Sequence, residues 1–322
     1  MTKRTRVFLL VSVGVLAAVL ATGLVARAGG ALGSNTPDEL AYVPGTARMV
    51  AFAKVREVMN SPLHDRFRQL QNANPNGDSI EARTGIQFER DVDSVLVASM
   101  DVPQLAAPND AALLIARGRF DTNRIEALMR EQGGVVEQYR GKRIVSIKAD
   151  AAVPTLAFAE PGLLLFGAGD NVRTALDAKA GASQAIRGNT EFMALVDDVD
   201  EGTAWTVAKF DALLSQRGPL PDAVIGQLPP INWLAASGRI DAGLHGLVRA
   251  EARDQQSAQN LRDVVQGFLS LARLQGSRDP AYKQMLDSVT LNTQGTSVSL
   301  SFDVSPAVLD SLNSQGGGLR RR

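Results

Sequence analysis

The sequence predicts an α+β protein: two repeated β-α-β-β-α-β-β units with mainly antiparallel sheets and helices on one face, preceded by an N-terminal hydrophobic helix. Three observations carry this prediction. Apolar, strand-like runs flank short Gly turns at Arg140-Gly-Lys142, Glu160-Pro-Gly162 and Gln294-Gly295, which favours hairpins and so antiparallel pairing. Amphipathic helices follow Asp121 and Asp254, each placed to cap the first turn. Gly202-Thr-Ala-Trp-Thr-Val-Ala-Lys-Phe-Asp-Ala-Leu-Leu214 echoes Gly45-Thr-Ala-Arg-Met-Val-Ala-Phe-Ala-Lys-Val55 from 157 positions earlier, each a strand feeding a helix.

In chain order, Val7 to Ala26 is 20 residues without a charge, about the length that crosses a bilayer's hydrocarbon core. Lys3, Arg4 and Arg6 precede it, which keeps the N-terminus cytoplasmic and sends the body outward. Its length favours an uncleaved anchor. Ala26-Arg-Ala28 also fits the small-x-small pattern cut by signal peptidase, which would leave a mature chain starting at Gly29. Residues 1–28 are therefore a signal anchor or a signal peptide. Residues 29–37 are rich in Gly and turn formers and read as a flexible tether.

The first unit covers 38–184. It has a strand at 47–53, a helix over 55–72 interrupted near Pro62, and buried strands at 92–100 and 111–118. The helix after Asp121 places Ile125, Leu128 and Met129 on one face and ends at Gly133-Gly134. Hairpin strands at 135–139 and 143–148, then 155–159 and 163–166, precede a helix over 171–179.

The second unit covers 185–315, with the boundary near Gly181 to Asn189. Paired strands at 233–239 and 243–252 lead to a long helix carrying Leu261, Val264, Val265, Phe268, Leu271 and Ala272 at 3 to 4 spacing. A hairpin at 288–291 and 296–304 follows, and Pro306 starts a last short helix. Identity between the two units is low, so one continuous domain is the alternative. Residues 316–322, ending in three arginines, form a disordered tail.

Composition narrows function by exclusion. The chain has 34 basic and 34 acidic residues; setting aside Lys3, Arg4, Arg6 and Arg27 leaves a mildly acidic body of 30 against 34. With 5% aromatic residues, that body lacks the basic patches and stacking rings that nucleic acid requires. With no cysteine there is no disulfide framework, Cys-ligated zinc, iron–sulfur cluster, cysteine nucleophile or acylated lipoprotein anchor.

No constellation reaches the specificity of a catalytic motif, so no catalytic, cofactor-binding or metal residue is assigned, and no cofactor is expected. His64 and His245 stand 181 residues apart and outside any His-Glu-x-x-His pattern. Ser237 lacks the Gly two residues before it that a nucleophile elbow needs. Gly167-Ala-Gly169 has Val172 where a dinucleotide loop has its third glycine, so it reads as a turn before a helix capped by Asp170. Asp197-Asp-Val-Asp-Glu-Gly202 fails the calcium-loop pattern, with Val199 at the third position and Ala208 at the twelfth, and reads as a solvated linker. Trp205 and Trp233 suit core packing, and Pro229-Pro230 leads into the Trp233 strand.

Gly118-Arg-Phe-Asp-Thr-Asn-Arg-Ile-Glu-Ala-Leu-Met-Arg130, Tyr139-Arg-Gly-Lys-Arg-Ile144 and Gln259-Asn-Leu-Arg-Asp-Val-Val-Gln-Gly267 resemble segments of uncharacterised exported or membrane-anchored bacterial proteins of the acidobacterial type. That resemblance implies export and carries no activity or site residue. The expectation is a non-enzymatic envelope protein, held at the cytoplasmic membrane through residues 7–26. Its body would lie in the periplasm or outside and present itself to an envelope protein or a ligand. Cleavage near Ala28 would instead release it as a secreted or periplasmic protein. The rival expectation is a periplasmic hydrolase or metal-dependent enzyme using His245 or the Asp197 to Glu201 cluster.

Overall fold

The computed structural model describes residues 36–61, 85–100, 112–147, 154–211, 228–241, 243–276 and 280–308. The hydrophobic segment 7–26, most of the tether, Pro62, His64 and the tail 316–322 lie outside the described residues. No helix among the described residues is long and apolar enough to cross a membrane.

The first half holds β1 (Met49–Ala53), α1 (Val55–Met59), α2 (Phe88–Asp91), β2 (Val92–Ser99), β3 (Ala112–Gly118) and α3 (Thr122–Glu131). It continues with β4 (Val135–Tyr139), β5 (Lys142–Ser146), β6 (Pro154–Glu160), β7 (Leu163–Ala168) and α4 (Gly169–Lys179). The second holds α5 (Thr190–Asp197), β8 (Ala204–Lys209), β9 (Ile231–Ile240), β10 (Leu244–Ala252), α6 (Gln255–Gly276), α7 (Pro280–Ser288), β11 (Thr290–Gln294) and β12 (Ser297–Val304). The expected hairpins and the strands beside Trp205 and Trp233 are present. Short α5 and α7 had not been anticipated. α5 ends at Asp197, the first residue of the acidic run, and it starts where Asn189 accepts a hydrogen bond from the Phe192 N–H at 3.0 Å.

Local chemistry explains the turns and caps. Arg140 and Gly141 both adopt positive φ, 51° and 72°, which suits the right-handed twist of the β4–β5 hairpin. Gly162 has φ 73°, and a Cβ there would meet the Gly118 carbonyl oxygen at 2.7 Å, so only glycine fits between β6 and β7. Asp121 accepts from the Arg124 N–H at 3.0 Å and Asp254 from the Ser257 N–H at 2.7 Å, as the sequence suggested. Asp170 departs from expectation: α4 begins two residues earlier, Ala168 holds the cap position without a side-chain bond, and Asp170 lies in the first turn. A carboxylate there still faces the positive end of the helix.

All the strands among the described residues join one twelve-stranded sheet, ordered β11-β12-β10-β9-β8-β1-β2-β3-β7-β6-β5-β4. Every neighbouring pair is antiparallel. The halves are therefore continuous: β1 pairs with β8 at the centre, and β4 and β11 form the edges.

Helices do not keep to one face throughout. Across the first half and the adjoining β8 and β9, one face of the sheet packs against α4, α5 and the 3-10 turn Asp38–Tyr42 through Leu40, Tyr42, Leu113, Ile115, Leu165, Phe192, Trp205 and Trp233. The opposite face packs against α3 through Val95, Ile125, Met129, Leu156 and Leu164. Buried on both sides, β6 and β7 carry apolar residues at successive positions. In the second half, α6 and α7 pack through Leu261, Met285 and Leu286 onto the side of β10 and β12 that carries Leu244, Ala250, Val298 and Val304. There β12 alternates Ser-Val-Ser-Leu-Ser-Phe-Asp-Val, the pattern of a strand with one buried side.

Candidate interaction surface

A single cross-strand row shows what the other side of the second half presents. From the centre outward in the first half it runs Val50, Ala98, Leu113, Gly167, Thr155, Ser146 and Val135. In the second half it runs Val207, Ala235, Arg249, Ser299 and Asn292. Leu113 is fully buried beneath the helices, whereas Arg249 and Ser299 are half-buried and Asn292 is exposed. Neighbouring rows on this side contribute Ser297, Ser301, Thr290 and Gln294. Strands β12 and β11 thus carry a hydroxyl- and amide-rich face opposite α6 and α7, beside His245, Arg249 and Glu251 of β10. Alternating serines in β12 were the signal in the sequence that could have revealed it.

Charges on this face are matched in place. Arg249 bonds to Asp198 at the end of α5 and to Glu251 at 2.9 Å, while Thr296 donates to Glu251 at 3.2 Å. The acidic run is correspondingly dispersed: Asp198 turns to Arg249, and buried Asp200 accepts from Thr36 at 3.0 Å. These two carboxylates serve separate contacts. Among the described residues, no group of three His, Asp or Glu side chains is placed to hold a metal ion.

His245 lies at one end of the same face. Its Nε2 is 3.0 Å from Asp241 and its Nδ1 2.5 Å from Asp303. Asp241, in the β9–β10 turn, is held below the usual carboxylate range by the Gly243 N–H, against a desolvation penalty and with His245 adding to the effect. Carboxylates at opposite edges of the imidazole leave neither nitrogen turned toward a nucleophile. The Ser288 hydroxyl nearby is bonded to the Asp303 backbone. This arrangement ties the β9–β10 turn to β12.

The other sequence candidates have structural settings. Ser237 packs against Gly202, whose added Cβ would lie 2.9 Å from the serine Cβ. Gly167 lets β7 approach β3, since a Cβ there would meet the Ala112 oxygen at 2.7 Å. Trp205 and Trp233 are core residues, with ring centroids 5.7 Å from Phe52 and 6.0 Å from Phe192. Pro230 accepts from the Arg253 N–H at 3.1 Å at the approach to β9.

One cluster had no sequence signal because its members are scattered. The Tyr42 hydroxyl donates to Glu160 at 2.7 Å, Lys179 bonds Glu160 at 3.2 Å, and Lys179 lies 4.9 Å from the Tyr42 ring centre. Burial, and then the hydrogen bond to Glu160, push the Tyr42 phenol well above its ordinary value. The same hydrogen bond lowers Glu160, against a burial penalty and with help from Lys179. Buried Glu39 binds Arg117 beside them. The cluster fastens the 3-10 turn Asp38–Tyr42, the first described element, onto the sheet.

Together these features define an α+β protein built on one antiparallel sheet, helix-covered in one half and open on a polar face in the other. No family model matches the chain, and no curated protein matches its sequence. Among solved structures, crystal form I of TP0453 aligns with a TM-score of 0.48 at 9% identity, covering 87% of this chain and 98% of that one. Crystal form IV of TP0453 aligns with a TM-score of 0.45 at 10% identity, covering 88% and 98%. This likeness concerns architecture and transfers no residue role.

Proposed function

We propose that the protein is a non-enzymatic envelope protein that presents a duplicated α+β body outside the cytoplasmic membrane for interaction with a protein or ligand. The observation that carries the reading is the polar face of β10, β12 and β11, left open where the corresponding side of the first half is buried. Residues 7–26, with Lys3, Arg4 and Arg6 before them, supply the export signal and the membrane attachment.

Support for duplication comes from the register. Val50 and Val207 stand at the 157-residue offset of the sequence echo and are also direct partners across β1 and β8. The strand orders β1-β2-β3-β7 and β8-β9-β10-β12 run outward from that pair. Repetition would then have been followed by divergence, one copy gaining helical cover and the other exchanging Leu113 for Arg249 and Gly167 for Ser299.

Fractionation with photo-crosslinking tests the proposal. The full chain should be found with the membrane, or in the secreted or periplasmic fraction if cleaved, with a photoreactive residue at Ser299 capturing a defined partner. Recovery in the cytoplasm would overturn it, as would capture at Ser299 no greater than at Glu131, an exposed residue remote from this face. The enzymatic alternative predicts an activity lost in His245→Ala.

A further inference from the structure

The two ends of the sheet are alike in form and opposite in chemistry. Each edge strand has five residues, and each joins its neighbour through a two-residue turn, Arg140-Gly141 for β4 and Gly295-Thr296 for β11. An exposed edge carries a row of unpaired N–H and C=O groups, and proteins usually guard it with charge, proline or a bulge. β4 is guarded: Glu137 at its centre pairs with Arg173, and Arg140 and Arg173 lie over the Tyr139 ring. β11, Thr-Leu-Asn-Thr-Gln, has no charge and no proline, and pairs with β12 without a register shift.

We infer that the β11 edge pairs with β11 of a second copy of this chain, antiparallel about Asn292. In a two-residue hairpin the residues flanking the turn bond to each other, so Gln294, Asn292 and Thr290 direct their backbone groups to β12. Leu291 and Thr293 then direct theirs outward. Pairing about Asn292 sets Leu291 of one copy against Thr293 of the other, which joins those groups in both directions. It also sets Thr290 against Gln294 and Asn292 against Asn292, with no like charges opposed. The same operation on β4 would set Glu137 against Glu137. A second copy fits β11 because the strand is self-complementary in this register, and the two open polar faces would then join into one. The inference stands on the edge itself and is independent of membrane attachment.

The chain lacks cysteine, so one introduced thiol reports cleanly. In detergent-extracted full-length protein, Asn292→Cys should give a disulfide-linked homodimer on mild oxidation, and Glu137→Cys should not. In sedimentation experiments the unmodified chain should dimerise, and Asn292→Lys, with an unchanged circular dichroism spectrum, should weaken dimerisation about fivefold or more. Failure of Asn292→Cys to link, equal linking by Glu137→Cys, or unaltered association of Asn292→Lys would overturn the inference. So would capture at position 292 of a chain of different mass.

Discussion

Val50 of β1 and Val207 of β8 face each other at the centre of the sheet, both fully buried, 157 positions apart in the chain. Stepping outward from this pair meets Ala98 on one side and Ala235 on the other, and the next step separates Leu113 from Arg249. The halves of the sheet therefore share a centre and differ two strands away from it.

If that centre joins the halves mechanically, Val50→Ala and Val207→Ala should each cost about 2 kcal/mol in urea unfolding through lost packing. Because the side chains are adjacent, the double variant should deviate from additivity by about 0.5 kcal/mol or more. Strict additivity would argue against a shared core at β1–β8.

The ring of Phe302 lies over its cross-strand partner Gly246, and a Cβ at Gly246 would come 2.1 Å from the ring. Gly246→Ala should destabilise by roughly 1–3 kcal/mol, as overpacking does. Pairing it with Phe302→Leu, which vacates the space, should recover part of the loss in thermal denaturation.

The Tyr42–Glu160 contact stabilises the fold between acid and alkaline pH and loses its contribution at both ends of the scale. Glu160 is lowered in the folded chain, so its contribution is present above its ordinary value of 4.5 and is lost as pH falls through the folded value. Tyr42 is raised, so its contribution is full below 10.0 and is lost as pH climbs toward the folded value. Glu160→Gln should flatten the acid limb of a stability–pH curve and Tyr42→Phe the alkaline limb. Limbs unchanged by both variants would place the pH dependence elsewhere.

Asp198 and Asp200 are held by Arg249 and Thr36 respectively. Calcium at millimolar concentration should therefore leave the thermal midpoint unchanged. A rise that disappears in Asp198→Asn would reveal a cation site there and revive the metal-dependent alternative.

Trp205 buries its indole N–H without a hydrogen-bond partner among the described residues while its ring packs on Phe52. Trp205→Phe loses apolar contact but also removes an unpaired donor, so the two effects offset. The net cost should be within about 1–2 kcal/mol, below the usual penalty for truncating a buried tryptophan to alanine.

Much of the local structure was determined by the sequence itself. The hairpins at Arg140-Gly141, Glu160-Pro-Gly162 and Gln294-Gly295, and the helices capped by Asp121 and Asp254, follow from turn chemistry and periodicity acting over a few residues. Alternation along Ser297 to Val304 likewise encodes a strand with one wet side, and the successive apolar positions of Thr155 to Ala159 encode burial on both. What only the tertiary structure decided is which partners those strands take. Nothing near Val50 specifies Val207, because the free energy of that contact arises when two distant strands bury their faces together. The same holds for Tyr42 with Glu160 and Asp198 with Arg249, pairs whose proximity depends on the whole sheet. The open polar face, which needs Arg249, Ser299 and Asn292 in one row, exists only once three strands have found their register.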